Sequence, residues 1–123
     1  MKSLQDDLDE ERKDFKQELK CFHKTFKKKI EWLKEHGFHE LIDNEYLTVE
    51  FRTRSCNGSY LSVNPDLDGS QWQCIACIDG VWDYDTEAIS RHHPNLAIRK
   101  SKNCMEKKVQ RRFLRLYKNF EEK

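Results

Sequence analysis

Leu4, Leu8, Phe15, Leu19, Phe22, Phe26, Ile30 and Leu33 recur at helical spacing through the N-terminal part of the chain. At 100° per residue all of them fall within about 40° of Phe26 on a helical wheel. Ser3 with Asp6 forms a capping box at the start. Gly37 after His36 reads as the C-cap, with Phe38 folding back on the last turn. One helix of that length would run about 50 Å. A compact domain of 123 residues has a radius of gyration of only about 14 Å. The helix is therefore expected to overhang its domain over residues 1–12, to break near Glu11, where the stripe is interrupted, or to pack on a second copy.

After Gly37 the period changes to two. Leu47, Val49, Phe51 and Thr53 alternate with Thr48, Glu50, Arg52 and Arg54, as in a half-buried strand. Tyr60 to Asn64 reads as a second strand, with Leu61 and Val63 on its apolar face. A two-residue Asn57-Gly58 turn would set Leu61 and Val63 opposite Arg54 and Arg52. A three-residue Cys56-Asn57-Gly58 loop instead sets them opposite Thr53 and Phe51, and because a one-residue slip inverts both faces, burial selects this register. Pro65 to Gly69 is a turn cluster. Gln71–Ile78 and Val81–Tyr84 form a hairpin around Asp79-Gly80, pairing Cys77 with Trp82 and Ile75 with Tyr84. Both faces of this hairpin are apolar, so a helix, another strand layer, a ligand or a second subunit is expected over the second one.

Asp85 or Thr86 reads as the cap of a short helix stopped by Pro94, and Asn95–Arg99 as a candidate fifth strand. Asn103 with Glu106 opens a last helix, on which Met105, Val109, Phe113, Leu116 and Phe120 form an apolar stripe. The pattern implies one α+β domain over residues 1–123. It has a long N-terminal helix, a four- or five-stranded antiparallel meander and a C-terminal helix, with the helices packed on one sheet face. The expected core is Phe15, Leu19, Phe22, Phe26, Ile30, Val49, Phe51, Leu61, Val63, Val109, Phe113 and Leu116.

The net charge of +1 conceals a segregation. Residues 40–90 carry ten acidic side chains and two Arg, net −8. Residues 15–34 are net +5 and residues 91–118 net +9. Such bipolarity steers partners and has little bearing on fold. No apolar run reaches the roughly 20 residues of a membrane span. The charged opening, Met1 to Asp14, is unlike a secretory signal, so reduced thiols and a cytoplasmic setting are expected for the five cysteines.

Several motifs invite chemistry, and each has a simpler reading. Cys74-x-x-Cys77 has half of a zinc spacing, but positions three apart on a strand face opposite ways. His92-His93-Pro94 could do acid–base work beside Asp83, Asp85 and Glu87, yet no nucleophile or oxyanion donor can be named. Asp66-x-Asp68 lacks the remaining ligands of a calcium loop and reads as a turn. No catalytic residue, metal or cofactor is therefore expected.

Lys107, Lys108, Arg111, Arg115 and Lys118 line the outer face of the last helix, with Leu114 among them. That face points to a protein partner, or alternatively to nucleic-acid phosphates. No aromatic-plus-basic strand of the type that stacks bases is present. Trp32, Trp82 and Tyr84 are candidates for a homodimer or ligand face, and a pocket lined by Trp72, Trp82 and Tyr84 is a further small-molecule alternative. The expected function is a non-enzymatic protein-interaction module of the inhibitor, immunity or adaptor kind.

Overall fold

In the computed structural model, which describes residues 4–55 and 57–113, the N-terminal apolar stripe forms two helices. These are α1 (Leu4–Thr25) and α2 (Lys27–Glu35). The break falls at Phe26 rather than near Glu11, and the i→i−4 ladder continues across it, from Phe26 N to Phe22 O and from Ile30 N to Phe26 O. Residues 4–14 are exposed, and burial begins only at Phe15.

Five strands follow in a simple meander: β1 (Phe38–Asp43), β2 (Thr48–Thr53), β3 (Tyr60–Pro65), β4 (Trp72–Ile78) and β5 (Val81–Ser90). Each strand pairs antiparallel with the next. Two helices complete the described chain, α3 (Pro94–Asn103) and α4 (Lys107–Phe113). All four helices contribute to one core on one sheet face, where Phe15, Phe22, Ile30, Leu33, Ala97, Ile98, Met105 and Phe113 meet Val49, Phe51, Leu61, Val63, Trp72, Cys74 and Ala76. Leu19, Phe26 and Val109 pack against that core only partly buried, and Leu116 lies outside the described residues.

The β2–β3 register is the one that burial selects. Phe51 faces Val63 and Arg52 faces Ser62, with Gly58 in the left-handed region at φ 77°. The Asp79-Gly80 turn has φ of 53° and 83°, as a type I′ hairpin requires, and sets Cys77 beside Trp82. The two hairpin tips are bonded to each other through Gly80 N to Gly58 O at 2.9 Å and Asp79 N to Ser59 Oγ at 3.0 Å.

Four expectations are corrected. Phe38 does not merely fold back on the helix. It opens β1, whose sequence Phe-His-Glu-Leu-Ile-Asp shows almost no burial pattern because it lies at the sheet edge. The segment after Asp85 is strand rather than helix. Ala76 faces Asp83 and Cys74 faces Ala88, so Ile75 alone opposes Tyr84 to Glu87, which replaces the Ile75–Tyr84 pair. Thr86 fills this wide bulge, its Oγ1 accepting from Ala76 N at 2.9 Å and donating to Asp83 O at 2.6 Å. Residues 95–99 are helical, since Pro94 begins α3 at a position where proline's missing N–H is harmless. The expected C-terminal helix is present as α4, but Asn103 ends α3 instead of capping it, and the N–H groups of Val109 and Gln110 bond to Glu106 O at its start.

Gly69 tests how tightly the kink is seated. Its φ is +75°, and a Cβ there would lie 1.9 Å from Cζ of Phe26. Gly69→Ala is expected to lower stability in denaturant melts by about 1–3 kcal/mol beyond its backbone strain. Gly80→Ala, where a Cβ meets nothing within 4 Å despite φ +83°, supplies the strain-only reference. Equal losses for the two variants would show that Phe26 does not rest on Gly69.

Candidate functional site

On the sheet face turned away from the helices, three strands bring Arg52, Tyr60 and Trp82 together. The register dictates this, since Arg52 faces Ser62, Tyr60 faces Cys77 and Cys77 faces Trp82. The Arg52 guanidinium lies 4.4 Å from the Tyr60 ring centroid and 5.9 Å from that of Trp82. The two rings meet edge to face at 5.5 Å. Such cation–π geometry contributes roughly 0.5–1 kcal/mol at partly exposed sites.

Glu50, two residues before Arg52 on the same strand, approaches its Nε at 2.8 Å. The contact is an ion pair without an aligned Nε–H hydrogen bond. The Glu50 carboxylate holds the guanidinium above its usual value, partly offset by burial. Ser62 Oγ donates to Glu50, and Asn64 Nδ2 donates to Ser62 Oγ at 3.1 Å. Burial, followed by the Cys77 thiol, raises the Tyr60 phenol. Ser62, Ile75 and Cys77 are buried beside this cluster on the same face. The second apolar face of the hairpin is thus lined by side chains of the sheet itself. Tyr84, set at the start of the bulge, is 70% exposed.

The other candidate residues lie elsewhere. Trp32 stacks on His36 at 4.0 Å and meets His93 edge-on at 4.9 Å, so this half-buried ring joins α2 to the start of α3. Trp72 is fully buried in the core on the face opposite Trp82, so the structure does not unite Trp72, Trp82 and Tyr84 in one pocket. Lys107, Lys108 and Arg111 are exposed on α4, as are Arg99 and Lys100 on α3, whereas Leu114, Arg115 and Lys118 lie outside the described residues.

Cys74 and Cys77 are both buried, free and on opposite sheet faces. Burial pushes the Cys74 thiol up to about 12, partly offset by the neighbouring Ser101. Asp66 and Asp68 serve the turn, with Ser70 N donating to Asp68 Oδ1 at 2.8 Å and Ser70 Oγ to Asp66 Oδ2 at 3.2 Å. Among the described residues, no group of three His, Cys, Asp or Glu side chains could hold a metal ion. An open groove of about 790 Å³ runs under α1, lined by Gln17, Glu18, Cys21, Leu47, Leu67 and neighbouring residues of the sheet end. No described helix is long and apolar enough to cross a membrane.

No protein-family model matches the chain, and no curated protein or solved structure matches it at a significant level.

The paired histidines do structural work. His93 is the N-cap of α3, its Nδ1 accepting from Asn95 N at 3.1 Å, and Lys29 Nζ reaches over to donate to His92 O at 2.6 Å. Burial, then Lys29 and His36 on α2, push the His93 pKa below its ordinary value of 6.5. A depressed base contributes stability that is complete above the unfolded-state value and is lost as pH falls through the folded-state value. Stability is therefore expected to drop as the pH is lowered below about 6.5. His93→Asn keeps a capping side chain without an ionisable group. Parallel acid titrations of the two proteins should show a shallower loss for the variant, and superimposable curves would mean that His93 carries no such linkage.

Proposed function

We propose that this chain is a non-enzymatic protein-interaction module of the inhibitor, immunity or adaptor kind, and that it docks its partner on the sheet face built around Arg52, Tyr60 and Trp82. The observation that carries this reading is the convergence of one arginine and two aromatic rings from three strands on a face that no described helix covers. Arginine, tyrosine and tryptophan are the residues that most often anchor protein interfaces, and Trp82 and Tyr60 are partly exposed for that purpose.

Charge indicates the kind of partner. The sheet region, residues 40–90, is net −8, with Asp79, Asp85 and Glu87 exposed on the hairpin that carries Trp82. Exposed lysines and arginines of α2, α3 and α4 make the helix layer basic. A partner segment carrying positive charge therefore suits the sheet face. Steering by that field raises the association rate more than the final affinity.

A second reading rests on the basic helix layer. The exposure of Arg99, Lys100, Lys107, Lys108 and Arg111 suits a nucleic-acid backbone. Binding of that kind would weaken steeply with salt and be lost in Lys107→Glu/Lys108→Glu/Arg111→Glu.

Partners captured from nuclease-treated extract should be titrated against the wild type, Tyr84→Ala and Trp82→Ala. Tyr84 is exposed, so its truncation leaves the fold intact. Each truncation should weaken a cationic protein partner by more than about fivefold, as loss of 1 kcal/mol or more implies. A partner indifferent to both substitutions, or one removed by nuclease, would overturn the docking face.

A further inference from the structure

We propose that β1 is a self-association edge, at which two copies of the chain pair antiparallel about a two-fold axis to continue the sheet from five strands to ten. The two edges of this sheet are treated very differently. β5 is interrupted by the four-against-one bulge, α3 packs along it, and Lys100 Nζ donates to the Ile89 carbonyl at 3.3 Å. Bulges, covering elements and lysine are the usual devices that keep a sheet edge from pairing with another chain. β1 has no bulge and no lysine, and among the described residues the helices that touch it are α2, which leads into it, and α1 through the His23–Glu40 contact. Its six residues run in unbroken register with β2 and contain neither lysine nor proline. They expose Leu41 at 40% and Ile42 at 41%, one on each face of the strand.

The sequence of β1 fits its own image with the longest overlap when Leu41 is central. A two-fold axis normal to the sheet keeps each side chain on its face, so a residue on the axis must oppose its own copy. With Glu40 on the axis, two carboxylates would stand directly opposite each other, which is unfavourable. With Leu41 on the axis, Leu41 meets Leu41. His39 then stands opposite Asp43 and Glu40 opposite Ile42, each pair occurring twice. This register also overlaps all of residues 39–43. It removes the exposed leucine from water, matches imidazole with carboxylate and leaves no like-charge pair. The occupant that β1 fits is therefore a second copy of this chain, on a surface distinct from the Arg52–Tyr60–Trp82 face.

Sedimentation velocity at high micromolar concentration should give a species of twice the 14.9 kDa chain mass. Leu41→Lys alters a side chain already 40% exposed, so the monomer should fold, with an unchanged circular-dichroism melt. It would set lysine against lysine, weakening the dimer at least tenfold, whereas Trp82→Ala should leave it intact. Register is read separately in a Cys21→Ser/Cys104→Ser background. Leu41→Cys should cross-link to its own copy on mild oxidation, since directly opposed Cα atoms are about 4.5–5.5 Å apart. Ile42→Cys should not, with its copies about 8 Å apart and beyond disulfide reach. A 14.9 kDa monomer at every concentration would overturn the proposal. So would a dimer indifferent to Leu41→Lys, or cross-linking at position 42 in preference to 41.

Discussion

Trp72, the first residue of β4, is the point at which the helix layer and the sheet are joined. It is fully buried, its ring lying 5.7 Å from that of Phe22 and 6.2 Å from that of Phe26. Phe22 lies in the last turn of α1 and Phe26 at the break between α1 and α2, and Phe26 in turn covers Gly69 in the turn that leads into β4. The indole N–H has no hydrogen-bond partner among the described residues. Its burial without one is unfavourable by roughly 1–3 kcal/mol. Packing therefore holds Trp72 in place, and the aromatic contacts outweigh an unmet donor. The direction of α2 and hence the start of β1 follow from how this junction is filled.

Because all four helices are committed to the Trp72 side, the opposite sheet face is left to its own side chains. It solves the problem locally. Arg52 lies over Tyr60, Glu50 neutralises Arg52, and Ser62, Ile75 and Cys77 are buried among them with no described helix covering them. A face organised in this way retains its shape in the absence of a partner, which reduces the ordering that binding would demand. Charge is divided in a related way, with acidic residues on the sheet and its loops and an excess of basic residues on α2, α3 and α4, whereas α1 carries both signs.

Much of the architecture was legible because period and burial leave few choices. The Phe51–Val63 register followed from refusing to bury Arg52 and Arg54, and the Asp79-Gly80 turn from its residue types. The rest depended on interactions that a linear pattern does not display. β1 is stabilised by pairing with β2 and by the His23–Glu40 contact at 2.6 Å, so its own residues needed no alternation. Pro94 ends one segment and begins another, and only the cap made by His93 distinguishes the two. The bulge at Tyr84–Glu87 breaks the alternation that would have declared a strand. The Arg52–Tyr60–Trp82 cluster escaped a strand-by-strand reading because each strand supplies one member. It also needed the β3–β4 register, which sets Tyr60 beside Cys77 and is not among the registers read from the sequence.

Aromatic packing at Trp72 couples the kinked helix pair to the sheet. A double-mutant cycle with Phe22→Leu and Trp72→Leu, followed by equilibrium denaturation, tests it directly. The double variant should be less destabilised than the sum of the singles by about 0.5–1.5 kcal/mol, the coupling of an aromatic pair. Additivity within about 0.3 kcal/mol would show two independent sites and would contradict it.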